Sequence, residues 1–171
     1  MAKLQNESGR TMLEMLGVLA IMGVIMYGAI AGIGFGVESY KINATYNMIE
    51  DLSQGVVDLY SWSRSYAQNN GHGIVMQVCD NDIVECETTQ DQIKSEWNQP
   101  IAVTPVGDGA YFVIKLSGLS TLACSRLRDM TYSQLCVRKG NDDGCPDIAD
   151  ANIGNTDCSN DGGSSLVLIS L

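Results

Sequence analysis

A run of apolar residues with one carboxylate at its mouth constrains this chain more than any other feature. From Met15 to Val37 no side chain is ionisable except the Tyr27 phenol, and Glu14 stands directly before the run. As a helix rising about 1.5 Å per residue, the stretch is long enough to cross the hydrocarbon core of a bilayer. A carboxylate at the edge of such a segment is costly to desolvate and calls for a partner, so Glu14 reads as functional. Gly9 lies five positions before it. An ordinary secretory signal has a short apolar core followed by its small-residue cleavage site. Here the apolar run is longer and the glycine precedes it. A plain single-span anchor accounts for the hydrophobicity but not for the Gly9–Glu14 spacing.

The stretch GRTMLEMLGVLAIMGVIMYGAIAGIGFG, residues 9–36, resembles the N-terminus of a type IV prepilin. In that family a dedicated peptidase cuts after the glycine and methylates the new amine, and the glutamate five residues into the mature chain helps dock the subunit into a growing filament. The resemblance places the cut between Gly9 and Arg10 and assigns the docking role to Glu14. Arg10 stands where the family usually has Phe, Met or Leu. It adds a positive charge beside the new amine, one turn from Glu14, and so offers the carboxylate partial neutralisation within its own chain.

The chain has 171 residues, enough for one globular domain beside a long helix. Its formal net charge of −10 makes it a poor candidate for nucleic-acid binding, and its few basic residues form no stripe. Six cysteines in a chain with an export signal predict a disulfide framework formed in the periplasm or outside the cell. There is no C-x₂-C spacing and His72 is the sole histidine, so nothing resembles a zinc site.

Residues 1–9 read as a polar leader and 10–37 as the membrane-spanning or filament-core half of a long helix. The amphipathic half follows over 38–68, and 69–171 forms the head. The helical pattern reaches about Tyr66. Ile42, Tyr46, Ile49, Leu52, Val56 and Leu59 form its apolar stripe, while Glu38, Lys41, Asn47, Glu50, Asp51 and Asp58 remain for other faces. Gly17, Gly23, Gly28, Gly32, Gly34 and Gly36 each cost the helix about 0.5–1 kcal/mol relative to Ala, and they allow close packing against neighbouring helices. Many type IVa pilins carry a kinking proline in this region, where this chain has Ala31; any local melting in a filament is expected between Gly23 and Gly36.

Beyond Gly71, a short strand is expected at Ile74–Cys79 and a polar stretch at Glu87–Glu96. Ile101–Val106, Gly107-Asp108-Gly109 and Ala110–Leu116 predict a β-hairpin. A helix is expected over Ser117–Met130 and a strand over Thr131–Val137. Lys139–Gly163 reads as a loop, and Ser165–Leu171 as a closing strand with apolar alternation. The fold class is α+β, a long N-terminal helix packed on an antiparallel sheet with a disulfide-stapled C-terminal region.

Trp97 and Pro100 before a hairpin, Cys124 on a helix and Cys158 shortly before the last strand resemble the globular domain of type IVb pilins. In those pilins a helix cysteine is bridged to a cysteine next to the C-terminal strand, which implies Cys124–Cys158 here. Cys79–Cys86 would then clip the connecting loop and Cys136–Cys145 would staple the variable region. Six cysteines allow many pairings, and the main rival exchanges partners among Cys136, Cys145 and Cys158. The leader is short for the IVb class.

Asp142, Asp143, Asp147, Asp150, Asp157 and Asp161 offer hard oxygen ligands, and some secretion pseudopilins bind calcium near the C-terminus. Their spacing is not that of an EF-hand, and a solvated turn-rich loop accounts for them, so no cofactor is expected. No catalytic constellation stands out: His72 lies between glycines, oxidised cysteines are no longer nucleophiles, and Trp62 and Trp97 read as core or subunit-interface residues. The chain is not expected to be an enzyme.

The resemblance therefore implies a structural subunit, cleaved by prepilin peptidase at Gly9, held in the inner membrane and passed by pilus assembly machinery into a homo-oligomeric helical filament outside the cell. A minor pilin or type II secretion pseudopilin is the alternative within the family. A membrane-anchored extracytoplasmic binding domain is the alternative of another class.

Overall fold

A computed structural model describes residues 8–63, 65–67, 73–86, 92–130, 135–138, 145–146, 154–160 and 162–170. Side chains are described from Met12 onward. The chain divides into two compact units, Met1–Tyr40 and Lys41–Leu171. Helix α1, Ser8–Tyr60, begins in the first and ends in the second.

In the first unit α1 is apolar around its circumference, and it runs without a break through its glycines. In the second, the same helix becomes one-sided. Ile42, Ile49, Leu52 and Val56 are buried in a common core with the inner face of a sheet, and Tyr46 and Leu59 pack at its margin. The three-to-four-residue spacing of these side chains puts them on one stripe, whose burial stabilises this part of the helix more than propensity does. Thr45 and Ser53 are buried in that stripe too. The helix stops at Tyr60, short of Tyr66. Ser61 donates both its amide and its hydroxyl to the Asp58 carbonyl, which closes the last turn.

Five antiparallel strands form the sheet: β1 (Ile93–Lys94), β2 (Pro100–Val106), β3 (Tyr111–Leu119), β4 (Leu135–Val137) and β5 (Ser164–Ser170), in the order β1-β2-β3-β5-β4. The β2–β3 hairpin pairs Val106 with Tyr111 across a turn in which Gly107, Asp108 and Gly109 all have positive φ. Gly109 is required twice over. Its φ is +83°, and a Cβ there would meet Ala67 N at 2.8 Å as well as the Ser65 hydroxyl. The loop after α1 is clasped against this turn, with Tyr66 N–H donating to the Gly109 carbonyl at 2.8 Å and the Ser65 hydroxyl donating to the Asp108 carbonyl.

Ser117–Leu119, expected at the start of a helix, instead continue β3 through an irregularity at Gly118, whose φ is +70°. Helix α3, Thr121–Asp129, starts only after Ser120, whose hydroxyl accepts the Ala123 amide at 3.1 Å and so caps it. The expected strand at Ile74–Cys79 is helix α2, Ile74–Asp80. Its two fully buried side chains, Ile74 and Val78, are four apart, which a helix can bury together on one face. The polar stretch 87–96 contains the short β1.

The closing strand β5 lies between β3 and β4 and is buried along nearly its whole length rather than alternating. Leu166 and Leu168 face the α1 side. Val167 and Ile169 join Val106 and Val113 in a second cluster on the opposite face. A strand covered on both faces reads as a continuous apolar run.

Candidate functional site

Gly9 and Arg10 belong to the first turns of α1, and Glu14 is exposed on the helix that follows. The Arg10 side chain lies outside the described residues. From Met12 to Val37 the large apolar side chains are all open, with relative exposures from 49% at Val37 to 80% at Tyr27. Most of their apolar surface is therefore left uncovered by the described residues. Among the described residues this is the one helix long and apolar enough to cross a membrane. A Cβ built at Gly17, Gly23, Gly28, Gly32, Gly34 or Gly36 meets nothing within 4 Å. No contact among the described residues explains why these positions are small.

Three disulfides stiffen the second unit. Cys79 is joined to Cys86, Cys124 to Cys158 and Cys136 to Cys145, with Cα atoms 5.6, 5.5 and 5.7 Å apart, inside the ordinary range. Cys124 is fully buried on α3. Its bridge ties that helix to the segment just before β5, where Asp157 pairs with Ser165. Cys136 and Cys145 pack over the second apolar cluster, so this bridge covers the sheet face turned away from α1.

Of the six aspartates in the acidic C-terminal region, Asp142, Asp143, Asp147, Asp150 and Asp161 lie outside the described residues. Asp157 accepts the Ser159 amide at 2.9 Å, and hydrogen bonds from the Ser159 side chain and backbone lower its carboxyl below the usual value. Among the described residues no group of His, Cys, Asp and Glu is arranged to hold a metal ion. His72 lies outside them.

Trp97 packs against the core, whereas Trp62 projects from the end of α1 with 98% of its surface exposed. Sequence reasoning missed an aromatic chain that begins at the last residue of α1. Tyr60 and Tyr66 have ring centres 5.4 Å apart, and Tyr66 meets Phe112 edge-on at 5.0 Å. Burial raises both tyrosine pKa values. The aromatic residues spaced beyond the end of the apolar stripe were the available signal.

Comparison with protein-family models and with curated protein sequences gives no match to this chain.

Proposed function

We propose that the chain is a type IV pilin subunit, of the IVb kind, that polymerises into a surface filament. The observation that carries this reading is the uncovered apolar length of α1, headed by a single carboxylate one turn beyond Gly9-Arg10. A helix of this kind needs an apolar environment on every side. The inner membrane supplies it before assembly, and a bundle of identical helices supplies it afterwards, so one surface serves both states. Cleavage after Gly9 by prepilin peptidase frees an amine at Arg10, and Glu14 meets the N-terminus of a neighbouring subunit as it docks. A buried carboxylate left unpaired is strongly unfavourable, which gives the docking step its register. The glycines allow the helices of the bundle to approach closely. The head, stapled by its disulfides, needs no cofactor for this role, which is structural rather than catalytic. Head-to-tail contacts that do not close on themselves generate a helical polymer.

The deciding experiment is to shear cells that make the protein and determine the intact mass and N-terminal peptide of the released material. An abundant species beginning at Arg10 and lighter than the reduced chain by the hydrogens of three disulfides is expected, and an added methyl group would mark N-methylation. A chain still beginning at Met1 or Ala2 and confined to the membrane fraction would overturn the proposal in favour of an anchored extracytoplasmic domain. A correctly trimmed species present only in traces would make the subunit a minor pilin or pseudopilin.

A further inference from the structure

Gly55 interrupts the amphipathic half of α1 at a position where alanine would favour the helix, and the buried Leu52 and Val56 flank it. The structure gives the reason for the glycine. A Cβ built there would overlap Ile83 Cγ2 and would lie 3.0 Å from Ile83 Cδ1 and 3.3 Å from Ile83 Cβ. Cγ2 branches directly from that Cβ, so the backbone at Ile83 fixes how close the contact is. The glycines from Gly17 to Gly36 meet no such neighbour. Gly55 is a notch in α1, and Ile83 fills it.

The segment that carries Ile83 has little to hold it in place by itself. Helix α2 has seven residues, too few to persist by propensity, and Gly73 at its N-cap supplies no side-chain hydrogen bond. Ile74 and Val78 anchor α2 in the core. Beyond Asp80 the chain doubles back: the Asn81 amide donates to the Gln77 carbonyl, the Asp82 amide to Cys79 and the Ile83 amide to Val78. Asp82 has a φ of +52°, which a residue with a side chain adopts at a cost. The Cys79–Cys86 bridge closes this turn across a separation of seven residues. Both of its cysteines are half-buried, whereas Cys124 is fully buried.

We propose that Cys79–Cys86 is a redox latch for the strap Asn81–Cys86. In the oxidised chain the bridge holds the Asp82 turn and seats Ile83 in the Gly55 notch. A dithiol reductant passes two electrons and two protons to the bridge, becomes a disulfide itself and leaves thiols at Cys79 and Cys86. Asp82 is then free to leave its positive φ, and Ile83 lifts off α1. Gly55 is uncovered together with Leu59, one turn further along the same face. The sheet, the first turn of α2 and the Cys124–Cys158 bridge stay in place. The cover on this part of α1 thus depends on the oxidation state of the head, whether or not the chain forms filaments.

The test is hydrogen–deuterium exchange, read by mass spectrometry, on the full chain in detergent. In Cys79→Ser with Cys86→Ser, the Asn81, Asp82 and Ile83 amides should exchange about tenfold faster than in the parent, while β2, β3 and β5 keep their protection. Unchanged exchange in the strap would overturn the latch. Loss of protection that spreads through the strands would make the bridge a staple of the whole head and overturn it equally. A second pair of variants leaves the bridge intact. Gly55→Ala should speed exchange at the same three amides, and it should have no further effect in a chain that also carries Ile83→Ala. Equal effects of Gly55→Ala in both backgrounds would show that Ile83 is not what the notch holds. Finally, the unaltered chain titrated with dithiothreitol and alkylated with iodoacetamide should carry the label on Cys79 and Cys86 before Cys124. Label reaching Cys124 first would show that the latch is not the accessible bridge.

Discussion

In the proposed reading, Glu14 is the single group that separates a plain membrane anchor from an assembling subunit. In the proposed mechanism its charge is needed only when a neighbour's amine must be met in an apolar bundle, so Glu14→Ala should leave trimming at Gly9 intact and abolish filaments. Normal filaments from that variant, seen by electron microscopy of sheared material, would reject the docking role. Gly9→Val should block processing, and a product that still begins at Arg10 by N-terminal sequencing would reject the cut site. Asp157 is a structural counterpart in the head. Its carboxylate is held below its usual pKa by Ser159, so it contributes stability that is present above the unfolded carboxylate range and is lost as pH falls through the folded value. Asp157→Asn should therefore lower the Tm at neutral pH and converge on the parent as the solution is acidified below that range. A difference that persists or grows toward low pH in a thermal-melt series would contradict the assignment.

At the scale of elements, legibility followed whether a side-chain period was long enough to be unambiguous. The stripe of Ile42, Ile49, Leu52 and Val56 spans several turns, and helix periodicity alone identifies its buried face. The heptapeptide of α2 is too short for that. Ile74, Val75 and Val78 suit a strand by propensity, and the helix wins because it places Ile74 and Val78 on one buried face. Ser117-Gly118-Leu119 shows a different limit: Leu119 and Leu122 share a helical spacing, yet pairing of Leu119 with Ser164 keeps Leu119 in β3. β1, with two residues, has no period at all. Of the candidate site, the uncovered apolar run was legible because composition alone carries its chemistry. The exposure of Trp62 was not, because it depends on where α1 ends. The glycines of α1 supply a prediction at this same scale. A Cβ at Gly28 meets nothing within 4 Å among the described residues, and Gly28→Leu should raise the intrinsic stability of the helix by about 1 kcal/mol. Processed monomer should persist in the membrane while filament yield falls, because the added side chain would lie between helices. Unaltered filament yield would show that close approach at Gly28 is not used.

Across the whole molecule, the second unit is held by two apolar clusters on opposite sheet faces and by three bridges that span loops of different length. The Cys124–Cys158 bridge closes a separation of 34 residues against 7 for Cys79–Cys86. In the chain-entropy account the longer loop contributes about 3–4 kcal/mol and the shorter about 2. Cys124→Ala with Cys158→Ala should accordingly lower the denaturant midpoint more than the paired alanine change at Cys79 and Cys86. The reverse order in urea titrations of the full chain in detergent would show that native packing, not loop closure, sets the ranking. The resemblance to pilins supplied the partners of Cys124 and Cys158, whereas the spacing of the cysteines alone left several pairings open. The position of β5 bears on the order in which this molecule can be made. The strand that separates β3 from β4 is the last of the five to be synthesised. Until it arrives β3 has one open edge, β4 has no neighbour, and both apolar clusters lack their central residues. In the proposed filament pathway, a head emerging across a membrane behind its own anchor would complete its fold only after these C-terminal residues have crossed, so quality control would have to protect an open-edged sheet throughout translocation.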